Sequence, residues 1–252
     1  MRDKRLVAAS FSRAATRYDH VAGLQRRIAD QLANWLPQGP LDCVLDLGSG
    51  TGYANRWLSE RSTQLLNIDL AEGMLDYART RGSKGLFITG DAEALPLKAQ
   101  SVDFVWSSLA LQWSEQPATL ICELSRVVRP GGRLLISTLG PSTLYELRES
   151  WAAVDQQQHV NHFVSPSEWL DVPVSLELVR HYQETQIEYY AEVSQLLREL
   201  RTLGAHNVNP ERRQGLGGQA ELKSMMQHYQ GYRTERGIPA SYEVHYLELL
   251  RR

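Results

Sequence analysis

Seven consecutive residues, Asp46-Leu47-Gly48-Ser49-Gly50-Thr51-Gly52, place three alternating glycines directly behind a short β-rich run and ahead of a helical one. Glycine lets the backbone turn sharply and lets a ligand approach where Cβ atoms would collide. A tight βα turn without a ligand is the alternative, because a short glycine motif is only moderately specific. Two further acids narrow the choice. Asp69 follows Gly50 by 19 residues at the end of the next β-rich run, where a carboxylate can accept both hydroxyls of a ribose. Asp91, in Gly90-Asp91-Ala92-Glu93, closes the run after that and suits the exocyclic amine of an adenine. Each acid could cap the helix behind it, but three acids at three successive strand ends point to a bound nucleoside.

A dinucleotide is disfavoured. G-x-G-x-x-G brings a pyrophosphate to a helix N-terminus, whereas here Tyr53 stands at the sixth position, the third glycine comes one place early, and the loop carries no Lys or Arg. No G-K-[ST] ending follows, which excludes a P-loop.

These residues need a scaffold that aligns strand ends. Alternating runs predict strands at 42–47, 64–70, 85–90, 102–107 and 133–138, with helices at about 53–61, 72–81 and 116–128. Such alternation implies parallel strands with helices on both faces, an α/β doubly wound core. Pro130, Gly131 and Gly132 are expected to end a helix and turn the chain into the last of these strands. Upstream, Leu24, Ile28, Leu32 and Trp35 recur at helical spacing and stop at Pro37 and Gly39. Beyond Gly140 the rhythm changes: helices are expected at 143–155, 191–203 and 219–230, a long strand at 176–189, and a final strand from Tyr242 to Leu250.

Composition narrows the function classes. At 252 residues and 42% hydrophobic, the chain can bury a core unaided. A net charge of −2 without long charge blocks disfavours nucleic acid as a partner. No run reaches the length of a membrane span and the polar N-terminus lacks a signal-peptide core, so a cytoplasmic location with no membrane partner is expected. Cys43 and Cys122 lie in apolar runs and read as buried reduced thiols, and no metal site is expected.

The set DLGSGTG, NIDLAEGML, GDAEALP, DFVWSSLALQW and VVRPGG, over about residues 40–140, resembles class I S-adenosylmethionine-dependent methyltransferases. With FSRAATRYDHVAGLQ, WAAVDQQQHVNHF and RGIPASYEVHYLEL added, most of the chain is similar to the malonyl-acyl-carrier-protein O-methyltransferases of biotin synthesis. The resemblance implies one methyltransferase domain over 1–252 with a Rossmann-like, mostly parallel seven-stranded sheet. It would comprise a helical lid at 1–39, a cofactor-binding core at 40–140, substrate-side additions at 141–240 and a final strand at 241–252. It implies S-adenosyl-L-methionine as cofactor, with Gly48, Gly50 and Gly52 along its methionine part and Asp46 supporting the loop or the amino group. Asp69 would take the ribose and Asp91 with Ala92 the adenine, while Leu70 and Met74 would wall the adenine or simply pack in the core. Ser108 stands where the family usually has Asn, and its hydroxyl would replace part of that contact; Gln112 and Trp113 match the family's LAxQW and would edge the substrate channel.

The implied substrate is malonyl-acyl carrier protein or malonyl-coenzyme A. Its free carboxylate, with a pKa near 4, is already ionised at pH 7, so methyl transfer to it requires no general base and none of the histidines is promoted. Tyr18 is the expected lid residue at the reacting centre, and Arg198 the expected partner of the substrate carboxylate, on a helix whose Leu196, Leu200 and Leu203 face the core. Around it, residues 198–236 hold seven Arg or Lys against four Glu, a positive surface that would steer an acidic carrier protein. A methyltransferase for another acceptor, or a non-catalytic partner protein on this fold, are the alternatives.

Overall fold

The computed structural model describes residues 3–172, 174–204 and 218–252. In chain order its elements are α1 (Lys4–Val21), α2 (Gly23–Ala33), β1 (Leu41–Leu47), α3 (Asn55–Leu58), β2 (Ser62–Asp69), α4 (Glu72–Thr80), β3 (Leu86–Thr89), β4 (Val102–Ser108), α5 (Pro117–Val127), β5 (Val128–Leu139), α6 (Tyr145–Ala152), α7 (Pro166–Leu170), β6 (Leu176–Tyr190), α8 (Val193–Thr202), α9 (Gly218–Tyr229) and β7 (Ile238–Arg251). A 3-10 turn at Leu111–Trp113 precedes α5.

Among the described residues seven strands form one sheet in the order β3-β2-β1-β4-β5-β7-β6. The five strands β1 to β5 are parallel, and β7 inserts antiparallel between β5 and β6. The chain therefore steps outward from β1 to β3, then returns to the other side of β1 as β4. At that reversal the loops leaving the two central strands diverge, and a crevice opens at their C-terminal ends. Asp46 and Asp69 stand at those ends on β1 and β2, with Asp91 just beyond β3.

Central strands buried on both faces read as continuous apolar runs. On one face Ile28 and Leu32 of α2 pack with Phe104, Trp106, Leu135 and Tyr246. On the other, Leu120, Ile121, Leu124 and Val127 of α5 meet Val105, Leu134, Ile136 and Leu249, with Trp169 of α7 sealing the edge. The seven-stranded, mostly parallel sheet expected from the sequence is what the chain adopts.

Several local expectations are corrected. Arg129-Pro130-Gly131-Gly132 is a bulge inside β5, not a turn ahead of it: Val128 pairs with Val102, Arg133 with Phe104, and the register shifts between. A Cβ on Gly132 would lie 2.8 Å from the Asp103 carbonyl oxygen, so only glycine allows the bulged backbone so close to β4. The final strand starts at Ile238 rather than at 241 or 242, taking in Pro239, which pairs with Tyr189. β5 has already ended opposite Val244, so this stretch of β7 has a strand partner on one side only, and a proline is tolerated at such an edge. α3 is one turn long instead of spanning 53–61, and α7 was not expected. α1, an 18-residue helix, had been anticipated only as part of a helical N-terminal segment. Cys43 is buried, but Cys122 is exposed, because α5 turns Ile121 and Leu124 inward and position 122 outward.

Candidate active site

A cleft of about 140 Å³ opens at the C-terminal ends of the parallel strands, roofed by α1. Its floor is the turn after β1. Gly48 has φ 70° and a Cβ there would fall 2.1 Å from the Ala110 Cβ, while Gly50 has φ 54° and faces open space, so a side chain on it would project toward the cavity. Asp69 braces the turn: its Oδ2 accepts from the Gly50 N–H and its Oδ1 from the Ala71 N–H, both at 2.8 Å. Burial raises the Asp69 carboxyl, against the lowering effect of those backbone donors. It thus braces the loop, orders the entry to α4 and lines the cleft.

Leu70, Met74, Asp91, Ala92, Ser108 and Tyr18 join Gly48, Gly50 and Asp69 in the cleft wall. Met74 is buried, packs with Ala15 and Ala71, and also lines the cleft. The Ser108 hydroxyl is hydrogen bonded with that of Ser137 at 2.9 Å. Phe11 of α1 stands edge-on to Trp113 with centroids 5.2 Å apart, closing the roof on the 3-10 turn.

A second cavity of about 70 Å³ continues beneath α2 and shares Tyr18, Gly48, Gly50 and Ser108 with the first. Gln25 Oε1, Arg26 Nε, Asp46 Oδ2 and Ser49 Oγ are buried there without a hydrogen-bond partner. Buried polar atoms are nearly always satisfied; here an open carboxylate oxygen and an open guanidinium N–H share one chamber. Burial, and then the neighbouring Asp69, push the Asp46 carboxyl up to about 8. Arg26 also pairs with Asp19 at 3.4 Å, and Asp19 accepts from the Thr51 hydroxyl at 2.8 Å, which ties both helices to the glycine turn. Tyr18, between the two chambers, has its phenol pushed well above its usual range by burial and by Asp69 and Asp19, and so keeps its proton.

Three expected residues lie elsewhere: Gln112, whose Nε2 donates to the Leu109 carbonyl, lines neither chamber, and two more follow. Gly52 lines neither chamber; its φ is 81° and a Cβ would meet the Ser83 hydroxyl at 2.3 Å, so it serves the packing of the turn against the end of α4. Arg198 is exposed on α8 and lines neither chamber, because the helix buries Val193 and Leu196 and position 198 falls on the opposite side. Its expected role as clamp of the substrate carboxylate has no support in this geometry.

Lys4, Phe11, Gln25, Arg26, Ser49 and Glu93 were not anticipated in the cavity walls. A signal existed for two of them: Lys4, Phe11 and Tyr18 recur every seven residues, which puts all three on one helical stripe. Glu93 is held by four donors. Its Oε1 accepts from the Ser114 hydroxyl at 2.6 Å and from the Glu115 and Gln116 amides, and its Oε2 pairs with Lys4 at 2.5 Å. Against the upward push of burial, these bonds bring its carboxyl down to about 2.

The sheet order, the crevice at the strand reversal and the glycine turn flanked by three strand-end acids define a class I methyltransferase. A family model described as a methyltransferase domain matches residues 45–136. The chain is 37% identical to the malonyl-[acyl-carrier protein] O-methyltransferase of Hahella chejuensis over 96% of its own length and 88% of that protein, and it belongs to that family. It is also 44% identical, over 98% of its length, to the biotin biosynthesis bifunctional protein BioHC of Cellvibrio japonicus, of which it spans only 50%. Among solved structures it shares its fold with geranyl diphosphate C-methyltransferase of Streptomyces coelicolor, in complex with S-adenosyl-L-homocysteine, at a TM-score of 0.54 and 15% identity over 89% of this chain and 77% of that one.

Proposed function

We propose that the chain methylates the free carboxylate of a malonyl thioester, held on an acyl carrier protein or on coenzyme A, with S-adenosyl-L-methionine as donor. The observation that carries the cofactor reading is the quartet of unpartnered buried atoms in the smaller chamber. It fits an amino acid end: Asp46 Oδ2 and Gln25 Oε1 would accept from the ammonium, and Arg26 Nε would donate to the carboxylate. Asp69 would take the ribose hydroxyls, and Asp91, Ala92, Leu70 and Met74 the adenine. The cofactor, when bound, supplies an activated methyl on a sulfonium.

What the protein's own residues add is alignment and dryness. An ionised carboxylate needs no base, and no histidine lines either chamber. α1 and α2 exclude water from the strand ends. Tyr18, protonated and placed between the chambers, would orient the acceptor by hydrogen bonding. Holding two reactants in line is worth roughly 7 to 11 kcal/mol in well-oriented systems.

The acceptor rests on the family: relatives named malonyl-[acyl-carrier protein] O-methyltransferase match 96 to 97% of this chain. Arg198, Arg201 and Lys223, all exposed on α8 and α9, would then face the acidic carrier. Arg212 and Arg213, expected to join them, lie outside the described residues. The test is incubation with methyl-labelled cofactor and malonyl-carrier protein or malonyl-coenzyme A. Label in the thioester that mild alkali releases as methanol supports a methyl ester; label that resists alkali removes the carboxylate as acceptor.

A further inference from the structure

The cleft has two ends, and the roof is fastened differently at each. Toward its C-terminus, α1 is tied by Asp19 to Thr51 and Arg26. In its middle, the Ser12 hydroxyl accepts from the Gly73 N–H, and a Cβ on Gly73 would come within 2.9 Å of Ser12, so α1 and the start of α4 touch backbone to backbone. At its first turn the tie across the cleft is Lys4, whose ammonium reaches Asp91 Oδ2 at 2.7 Å and Glu93 Oε2 at 2.5 Å.

The two carboxylates are not equivalent. Glu93 is anchored through Oε1 to the loop that carries Trp113, and its side chain is 7% exposed. Asp91 uses Oδ1 to accept from the Glu93 N–H, and its Oδ2 accepts from Lys4. That Oδ2 is the atom an adenine amine would need. A carboxylate oxygen has two lone-pair directions, but the pair is only partly buried, with Lys4 27% and Asp91 34% exposed, so the bond can be exchanged at small cost.

We propose that Lys4 is the latch of the α1 roof and a positioning residue for the adenine end of the cofactor: it is shared between Asp91 and Glu93 in the closed roof and yields Asp91 to the adenine amine while Glu93 retains it. This rests on the cofactor reading above. Lys4 touches no reacting atom; it acts by holding Phe11 against Trp113, and so by keeping the adenine end covered.

The experiment uses Lys4→Gln and Lys4→Arg in the full chain, with S-adenosyl-L-homocysteine as probe. Two readouts apply: its dissociation rate, by displacement with excess unlabelled ligand, and amide hydrogen exchange over residues 4–21, with and without ligand. The expected result for Lys4→Gln is faster exchange confined to residues 4–11, with 15–21 as protected as in the parent, and a dissociation rate raised about fivefold, in keeping with an ion pair about one-third exposed. Lys4→Arg restores both. Rising salt should speed release from the parent and leave Lys4→Gln unaffected. Unchanged exchange and unchanged release in Lys4→Gln overturn the latch. So does slower release with unchanged exchange, which would make Lys4 merely a competitor for Asp91. Should the parent itself bind no S-adenosyl-L-homocysteine, the cofactor reading falls, and the exchange pattern of the free protein still decides whether Lys4 closes the helix.

Discussion

Asp46 and Asp69 sit side by side at neighbouring strand ends yet have opposite surroundings. Asp69 receives two backbone N–H groups, whereas Asp46 Oδ2 receives none. Removing Asp69 should cost cofactor affinity about 1.5 to 3 kcal/mol, the worth of a hydrogen bond to a charged group, and calorimetry on Asp69→Ala checks it. Asp46 makes a pH prediction. With its carboxyl at about 8 against 3.8 when unperturbed, the folded ligand-free protein holds a proton that the unfolded chain has lost, so this group makes the free protein less stable as pH rises from 3.8 toward 8. An ammonium seated beside it demands the ionised form. Cofactor binding at pH 7 should therefore release protons, and affinity should rise with pH up to about 8. Calorimetry in two buffers of different ionisation enthalpy measures the release, and Asp46→Asn should abolish it.

At the scale of elements, the turn leaving β5 is locked to the antiparallel pair β6 and β7. Glu243 of β7 accepts from the Ser142 N–H, from Gln183 and from His245, and His245 is in turn bonded to His181 at 3.0 Å. A Cβ on Gly140 would lie 2.4 Å from His245 Nε2 and 2.5 Å from Glu243 Cδ, so Gly140→Ala should destabilise by about 1 to 3 kcal/mol. Burial lowers the His245 pKa below 6.5, opposed by Glu243. The unfolded chain then takes up a proton before the folded one does: stability is full above pH 6.5 and declines as pH falls below it. Glu243, held below its ordinary 4.5 against burial by the Ser142 and His245 donors, adds a second loss at lower pH. Urea midpoints measured from about pH 3 to 8 on Asp46→Asn, which removes the opposing Asp46 slope, should show both steps, and no loss between pH 6.5 and 5 in that variant would remove the His245 contribution.

For the whole molecule, α1 packs on both α4 and α8, and the Ser10 hydroxyl of α1 donates to the Gly204 carbonyl just past α8. The exposed cations of α8, Arg198 and Arg201, therefore stand on a helix packed against the roof of the cleft. Exposed charges act through a field screened over about 8 Å at physiological salt. Charge reversal at Arg198 and Arg201 should raise KM for the carrier-bound malonyl substrate, most at low salt, and leave malonyl-coenzyme A nearly unaffected. Equal losses on both thioesters would assign these residues to structure instead.

What sequence alone determined is whatever local rules govern. Periodicity two and 3.6 gave the alternation of strands and helices, and the glycines with Asp46, Asp69 and Asp91 marked the strand ends, because the turn chemistry and the acid that follows each strand are written within a few residues of one another. The bulge at Pro130-Gly131-Gly132 and the early start of β7 at Ile238 were decided by neighbouring strands, which can accept an irregular register or a proline that a lone segment would not. Arg198 suits a carboxylate by its guanidinium, on a helix whose spacing already turns Leu196, Leu200 and Leu203 inward; only the tertiary structure decided that neither chamber reaches its outer face. Lys4 with Asp91 and Glu93, and Arg26 with Asp46, are separated by up to 89 positions in the chain. Their meeting depends on where α1 and α2 come to rest on the sheet, a matter of long-range apolar contacts around Ile28, Leu32 and Met74 that no local pattern encodes.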